Sequence, residues 1–257
     1  MVVHLPSKQT TRVRFSSLAQ KSFKKAFFIF LFYMLFFLRM SDKNKNFSTG
    51  RDDTLKIIGI IAMAVDHIGL ALYPNIPFLR IIGRLAFPIF AWYLAEGFIY
   101  TSSFKKYASR LFFFALISQI PAMLVAKTYN LNILFSLLLG LFALQAYKNK
   151  RYLTLGALVL LSAIIPVDYS FYGLLTILFF YIFKERKTAF LVQSVLNIAG
   201  VFLLSPIQAF SLTGAALALY YPKNLPKLRL NKYFFYIFYP VHLLVIYGLS
   251  LLPAFSK

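Results

Sequence analysis

Two carboxylates in this chain stand inside apolar runs, and they mark where chemistry is to be sought. Asp42, Asp52, Asp53, Asp168 and Glu185 fall in loops or tails, which leaves Asp66 and Glu96. A carboxylate in lipid costs about 3 kcal/mol or more, so each calls for a partner and a purpose. Asp66 is followed at once by His67. An imidazole beside a carboxylate is oriented and held as a base, suited to taking a proton from an amine or hydroxyl nucleophile. At helical rise both residues lie about 17 Å from the cytoplasmic end of their helix, just past the midplane. Arg84 reaches a similar depth in the next apolar run, with Arg80 one turn above it on the same face, so the spacing predicts an Asp–His–Arg cluster across two helices. Pro88 adds to it, because a proline cannot bond the carbonyl four residues back, here that of Arg84, and kinks the helix.

Glu96 and Arg110 are expected near the inner face, close enough to pair. Lys105, Lys106 and Arg110 form a cationic patch at the inner mouth, where the phosphates of a donor such as acyl-CoA can dock, although loops facing the cytoplasm are basic for reasons of orientation as well. Gln119 and His242 fall at comparable depth in their own runs and either line a cavity or satisfy a local backbone group. A purely structural reading uses the same residues: Asp66 and Arg84 as a buried ion pair that sets helix register, with Gly59, Ala62 and Gly69 allowing close packing, and His67 as a packed side chain.

The elements that must position these groups are helices in a bilayer. The chain is 60% hydrophobic with only 14% charged residues, more apolar surface than a soluble domain can cover. Apolar runs predict helices at Leu55–Tyr73, Ile81–Tyr100, Tyr107–Ala126, Leu131–Tyr147, Tyr152–Val167, Phe171–Phe183, Phe190–Leu204, Ala209–Tyr220 and Phe234–Leu252. The fold class is therefore all-α, a polytopic membrane bundle of about nine transmembrane helices, several shorter than the ~20 residues of a straight span. Lysines and arginines recur in alternate connections: Lys43–Lys56, Lys105–Lys106, Lys148–Arg151, Lys184–Lys187 and Lys223–Lys232. These face the cytoplasm, as does the N-terminus, while the other loops hold only Lys127, Asp168 and Lys257 as charges and face outward. Residues 1–54 read as a polar and basic leader whose apolar part, Ala26–Leu38, is too short to span. Met40 is an alternative start, since Ser41–Thr54 already makes a complete cytoplasmic lead-in.

Several chemistries are excluded. With no cysteine there is neither a disulfide framework nor a thiol nucleophile. No glycine-rich phosphate loop, paired histidines at metal spacing or serine elbow occurs, so no metal is expected. The formal charge of +21 is spread over short clusters between spans, which fits membrane orientation and leaves no groove for nucleic acid.

Four stretches carry a resemblance: LKIIGIIAMAVDHIG at Leu55–Gly69, LRIIGRLAFPIFAWYLAEGF at Leu79–Phe98, YASRLFFFALISQIP at Tyr107–Pro121 and FYPVH at Phe238–His242. Together they resemble the TraX family, from about Leu55 to the C-terminus, with residues 55–253 as the domain and the leader outside it. The resemblance implies an integral membrane acyltransferase, related to the type-3 membrane acyltransferases, with acetylation of a conjugative pilin N-terminus as the named activity. It implies His67 as catalytic base assisted by Asp66, and acetyl-CoA as donor. Arg84, Glu96 and Arg110 then hold the donor or shape its channel, and Arg80, Gln119 and His242 complete the candidate substrate-binding set. The implied partners are acyl-CoA, the lipid bilayer and a pilin-like or other extracytoplasmic acceptor of an amine or hydroxyl kind, in the bacterial cytoplasmic membrane. A small transporter or proton-coupled carrier is the competing reading, since intramembrane Asp, Glu, His and Arg also mark ion paths, and an assembly factor held together by its charges is a third.

Overall fold

A computed structural model describes residues 53–222 and 232–252. The expected leader up to Asp52, with Ala26–Leu38 and the Met40 start, lies outside these residues, as do most of the last basic loop and the tail after Leu252. The helices are α1 (Thr54–Ala71), α2 (Pro77–Gly83), α3 (Ala86–Tyr100), α4 (Phe104–Ala126), α5 (Ile133–Lys148), α6 (Tyr152–Ile164), α7 (Ser170–Ile182), α8 (Arg186–Leu203), a 3-10 turn (Pro206–Phe210), α9 (Ser211–Tyr220) and α10 (Lys232–Ser250). There is no strand among the described residues. Each apolar run read from the sequence falls on a helix or on two consecutive helical pieces. Thr54–Ala71, Pro77–Tyr100, Phe104–Ala126 and Tyr233–Ser250 are long and apolar enough to cross a bilayer, whereas Ile133–Lys148, Tyr152–Ile164 and Ser170–Ile182 are shorter apolar helices. The chain folds as an all-α membrane bundle.

Local signals set the helix starts. Pro77 opens α2, where a missing N–H costs nothing. Ser103 caps α4 by accepting from the Lys106 amide at 3.3 Å, and Asn132 caps α5 by accepting from Leu134 at 3.0 Å. The span Pro77–Tyr100 is broken at Arg84 and Leu85, as Pro88 predicts. There the Arg84 and Leu85 amides bond to Ile81 and Ile82, three residues back, a tightened turn that replaces the normal ladder. Gly214 of α9 lies against this break, and a Cβ there would come 2.3 Å from the Leu85 carbonyl oxygen.

Burial orders the bundle. Ile89, Ala91 and Ala95 of α3, Leu141 and Leu144 of α5, and Leu174 and Ile177 of α7 are almost fully covered, so these helices form the centre. Ile61, Phe113, Ile120, Leu153 and Phe202 point outward, the apolar exterior that lipid requires. A second polar layer sits between α7, α8 and α9. With its amide oxygen turned toward the donors around it, Asn197 accepts from the Leu212 amide at 2.8 Å and from Ser211 at 3.0 Å, and its nitrogen donates to the Gln208 carbonyl at 2.8 Å. Tyr172 meets Ser211 at 2.9 Å. This network pins the 3-10 turn, whose Gln208 and Phe210 are then buried in the interior.

Candidate active site

Asp66 is held by both arginines of the broken span. Arg80 Nη1 donates to Asp66 Oδ2 at 2.5 Å and to the Asp66 carbonyl at 3.2 Å, and Arg84 Nη2 approaches Oδ1 at 3.5 Å. The approach is possible because Gly83 faces the carboxylate: a Cβ there would stand 1.9 Å from Asp66 Oδ1. Arg84 sits at the break itself, and its Nη1 also donates to the Tyr169 hydroxyl at 3.3 Å. The sequence places Asp66 beside His67 and suggests that it orients the imidazole, but the carboxylate is taken up by the arginines instead. Successive helix residues project about 100° apart, so neighbours in sequence do not face each other.

The orienting partner of His67 comes from α10. His67 Nδ1 and His242 Nε2 are 2.9 Å apart, and His242 Nδ1 is 2.9 Å from the Phe238 carbonyl oxygen. A carbonyl only accepts, so the neutral His242 ring carries its proton on Nδ1 and offers the lone pair of Nε2. His67 must then donate from Nδ1, which leaves the lone pair of its own Nε2 for another proton. The Phe238 ring stacks on His242 at 4.9 Å between centroids and 10° between planes, holding the second imidazole in place.

His67 lines a cavity of about 760 Å³ that runs through the bundle. At one end its wall is made by Lys56, Tyr100, Tyr107 and Arg110, at the end of the helices that the basic loops mark as cytoplasmic. At the other end Asp66, Arg80, Arg84, Asp168, Tyr169 and Gln208 contribute. A second depression is lined by Lys105, Lys106, Ser109, Arg110 and Tyr233, so Arg110 belongs to both walls. The Arg110 guanidinium lies 5.8 Å from the Tyr107 ring centre. Glu96, Gln119 and His242 are not part of the cavity wall. Glu96 lies within electrostatic reach of Lys184. Gln119 accepts from the Asn132 amide at 3.0 Å and donates to the Asn130 carbonyl at 2.9 Å, which ties the α4–α5 connection rather than a ligand.

Three wall residues went unnoticed in the sequence. Asp168 reads there as an ordinary loop charge, yet burial pushes its carboxyl up to about 6, against the pull of the neighbouring Arg84. Its one signal was being the single acid in otherwise nearly uncharged outward loops. Tyr169 adopts φ 63°, a left-handed backbone rare for an aromatic residue, and stacks on Phe87 at 4.2 Å. Burial pushes its hydroxyl up to about 12. Gln208 is 1% exposed and its amide nitrogen, like Arg84 Nε, has no hydrogen-bond partner among the described residues. Nothing in the sequence marks either Tyr169 or Gln208. Among the described residues no group of acids and histidines could hold a metal ion.

The family described as TraX protein matches residues 51–250, which include every candidate residue above. The chain belongs to the TraX family. It is 28% identical over 226 residues to the Dichelobacter nodosus protein described as "Probable fimbrial assembly protein FimC, serogroup H1", covering 75% of this chain and 92% of that one. It is 36% identical over 102 residues to an uncharacterized protein of Rickettsia prowazekii (strain Madrid E), covering 39% of each. No solved structure matches the chain. As a TraX protein it is a membrane protein of a family linked to pilin and fimbrial assembly.

Proposed function

We propose that this chain is an acyltransferase of the bacterial cytoplasmic membrane that moves an acetyl group from acetyl-CoA to an amine or hydroxyl on the outer side. The observation that carries the reading is the position of His67: with its Nδ1 engaged by His242, it belongs to the wall of a cavity that has a cationic end and a polar cluster around Asp66, Arg80 and Arg84. The Lys105, Lys106 and Arg110 depression suits the phosphates of the donor, and Arg110, shared by both walls, marks where the thioester arm would pass inward. The acceptor, entering past Asp168 and Gln208, would present a neutral amine or a hydroxyl to Nε2. His67 takes its proton as the nucleophile attacks the thioester carbonyl. The tetrahedral intermediate collapses with cleavage of the carbon–sulfur bond, and the departing thiolate recovers a proton from His67. The products are the acetylated acceptor and free CoA thiol. The buried, unpartnered Arg84 Nε is a candidate donor to the oxygen that becomes negative in between. The name of the Dichelobacter relative and the family's link to pilin acetylation favour a pilin-type protein as acceptor.

The test is acyl transfer from labelled acetyl-CoA by purified protein in lipid. His67→Ala should slow it by about 10²-fold or more, as expected for loss of a general base. Unchanged transfer in that variant would remove the proposal. The length of the cavity also suits a carrier, the second reading. Uptake of a solute by proteoliposomes without any turnover of acetyl-CoA would decide for that one.

A further inference from the structure

We infer that His242 is a positioning residue which fixes the tautomer of His67, a residue of the cavity wall, so that its Nε2 is the basic nitrogen. This rests on the reading of His67 as a base. His242 is 7% exposed and absent from the cavity wall, so whatever it does for a reaction it does through His67. A neutral imidazole in isolation places its proton on either nitrogen, and the form protonated at Nε2 would offer the wrong group to a nucleophile. Here the Phe238 carbonyl sets the proton of His242, and His242 Nε2 sets that of His67, through two contacts of 2.9 Å. The chain of donors has one direction, and it ends at the lone pair of Nε2 on His67, a residue of the cavity wall. Asp66, the neighbour that usually suggests itself for this task, is committed to Arg80 and Arg84. The geometry also separates two jobs that His242 does at once. Its Nδ1 serves the backbone of its own helix, while its Nε2 alone reaches α1.

Two amide substitutions divide these jobs. In His242→Asn the amide occupies the place of Nδ1 and can still donate to the Phe238 carbonyl, but does not reach His67. In His242→Gln the longer side chain brings an oxygen to the place of Nε2, where it accepts from His67 Nδ1–H. Removal of an orienting partner of this kind costs about 10–100-fold. We expect His242→Ala and His242→Asn to lose kcat in that range with KM for acetyl-CoA little changed, and His242→Gln to recover most of the loss. Rescue by Asn equal to that by Gln, or full activity in the alanine variant, would show a merely structural residue. A readout independent of activity is the nitrogen-15 spectrum of protein labelled at histidine, with His67 assigned by its loss in His67→Ala. Wild type should show His67 protonated at Nδ1 and bare at Nε2, and His242→Ala should mix the two forms. A wild-type His67 protonated at Nε2 overturns the inference. The expected spectrum in a protein that transfers no acyl group would instead overturn the enzymatic reading and leave this one standing.

Discussion

Position 83 has room for a hydrogen atom and nothing larger, because Asp66 Oδ1 would stand 1.9 Å from any Cβ placed there. The contact joins α1 to the broken span at the point where Arg80 and Arg84 converge, so a methyl group would push the carboxylate off both. Displacing catalytic geometry by about 1 Å costs on the order of 10²-fold in rate. Gly83→Ala is therefore expected to lower acyl transfer by roughly that factor while the protein still assembles in membranes. Gly156 is the matched control, since a Cβ there meets nothing within 4 Å, and Gly156→Ala should transfer at the wild-type rate. Equal rates for the two variants would mean that the Asp66 cluster does not shape the site.

The connection between α6 and α7 is the element that the site holds under strain. Tyr169 and Ser170 lie at φ 63° and 46°, conformations that cost about 1–3 kcal/mol each unless the surroundings impose them. The surroundings do: the Leu131 amide donates to the Pro166 carbonyl at 2.8 Å and the Leu131 carbonyl accepts from the Asp168 amide at 3.1 Å, Ser136 donates to the Asp168 carbonyl, and Ser170 donates to the Ser162 carbonyl at 2.8 Å. Asp168 is thereby kept beside Arg84 in a place where burial opposes its charge. Its folded carboxyl titrates near 6 rather than near the ordinary 3.8, so the folded state holds the proton more tightly than the unfolded one. Stability from this group is full below the ordinary value and is lost as pH rises through about 6. Thermal unfolding in detergent should show wild type losing ground to Asp168→Asn between pH about 4 and about 6.5, with a constant difference above. A difference that does not change with pH would place Asp168 in open water.

At the scale of the molecule the cationic end and the polar cluster around Asp66, Arg80 and Arg84 are joined by one cavity, which gives the bundle a direction. In the adjoining depression the charge belongs to the exposed Lys105 and Lys106, each worth only about 0.2–1 kcal/mol to a bound anion. Lys105→Ala with Lys106→Ala should raise the KM for acetyl-CoA by about 2–10-fold, leave kcat nearly unchanged, and make KM less sensitive to salt. A fall in kcat with constant KM would argue against donor docking there. The same variants should bind the acceptor as wild type does, because the acceptor is proposed to enter from the opposite end.

Spacing and hydropathy alone determined the membrane class, the helices and the break before Pro88, because all of these depend on short stretches of chain and a fixed rise per residue. Tertiary structure decided which side chains meet. His67 and His242 are separated by 175 positions and touch only because α10 packs on α1. Asp168 and Gln208 reach the cavity through a strained loop and a 3-10 turn that no periodicity marks. Gln119, which its run places at the depth of His242, turns to the α4–α5 connection instead, since depth along a helix is a one-dimensional quantity and the face a residue presents is settled by what the helix packs against.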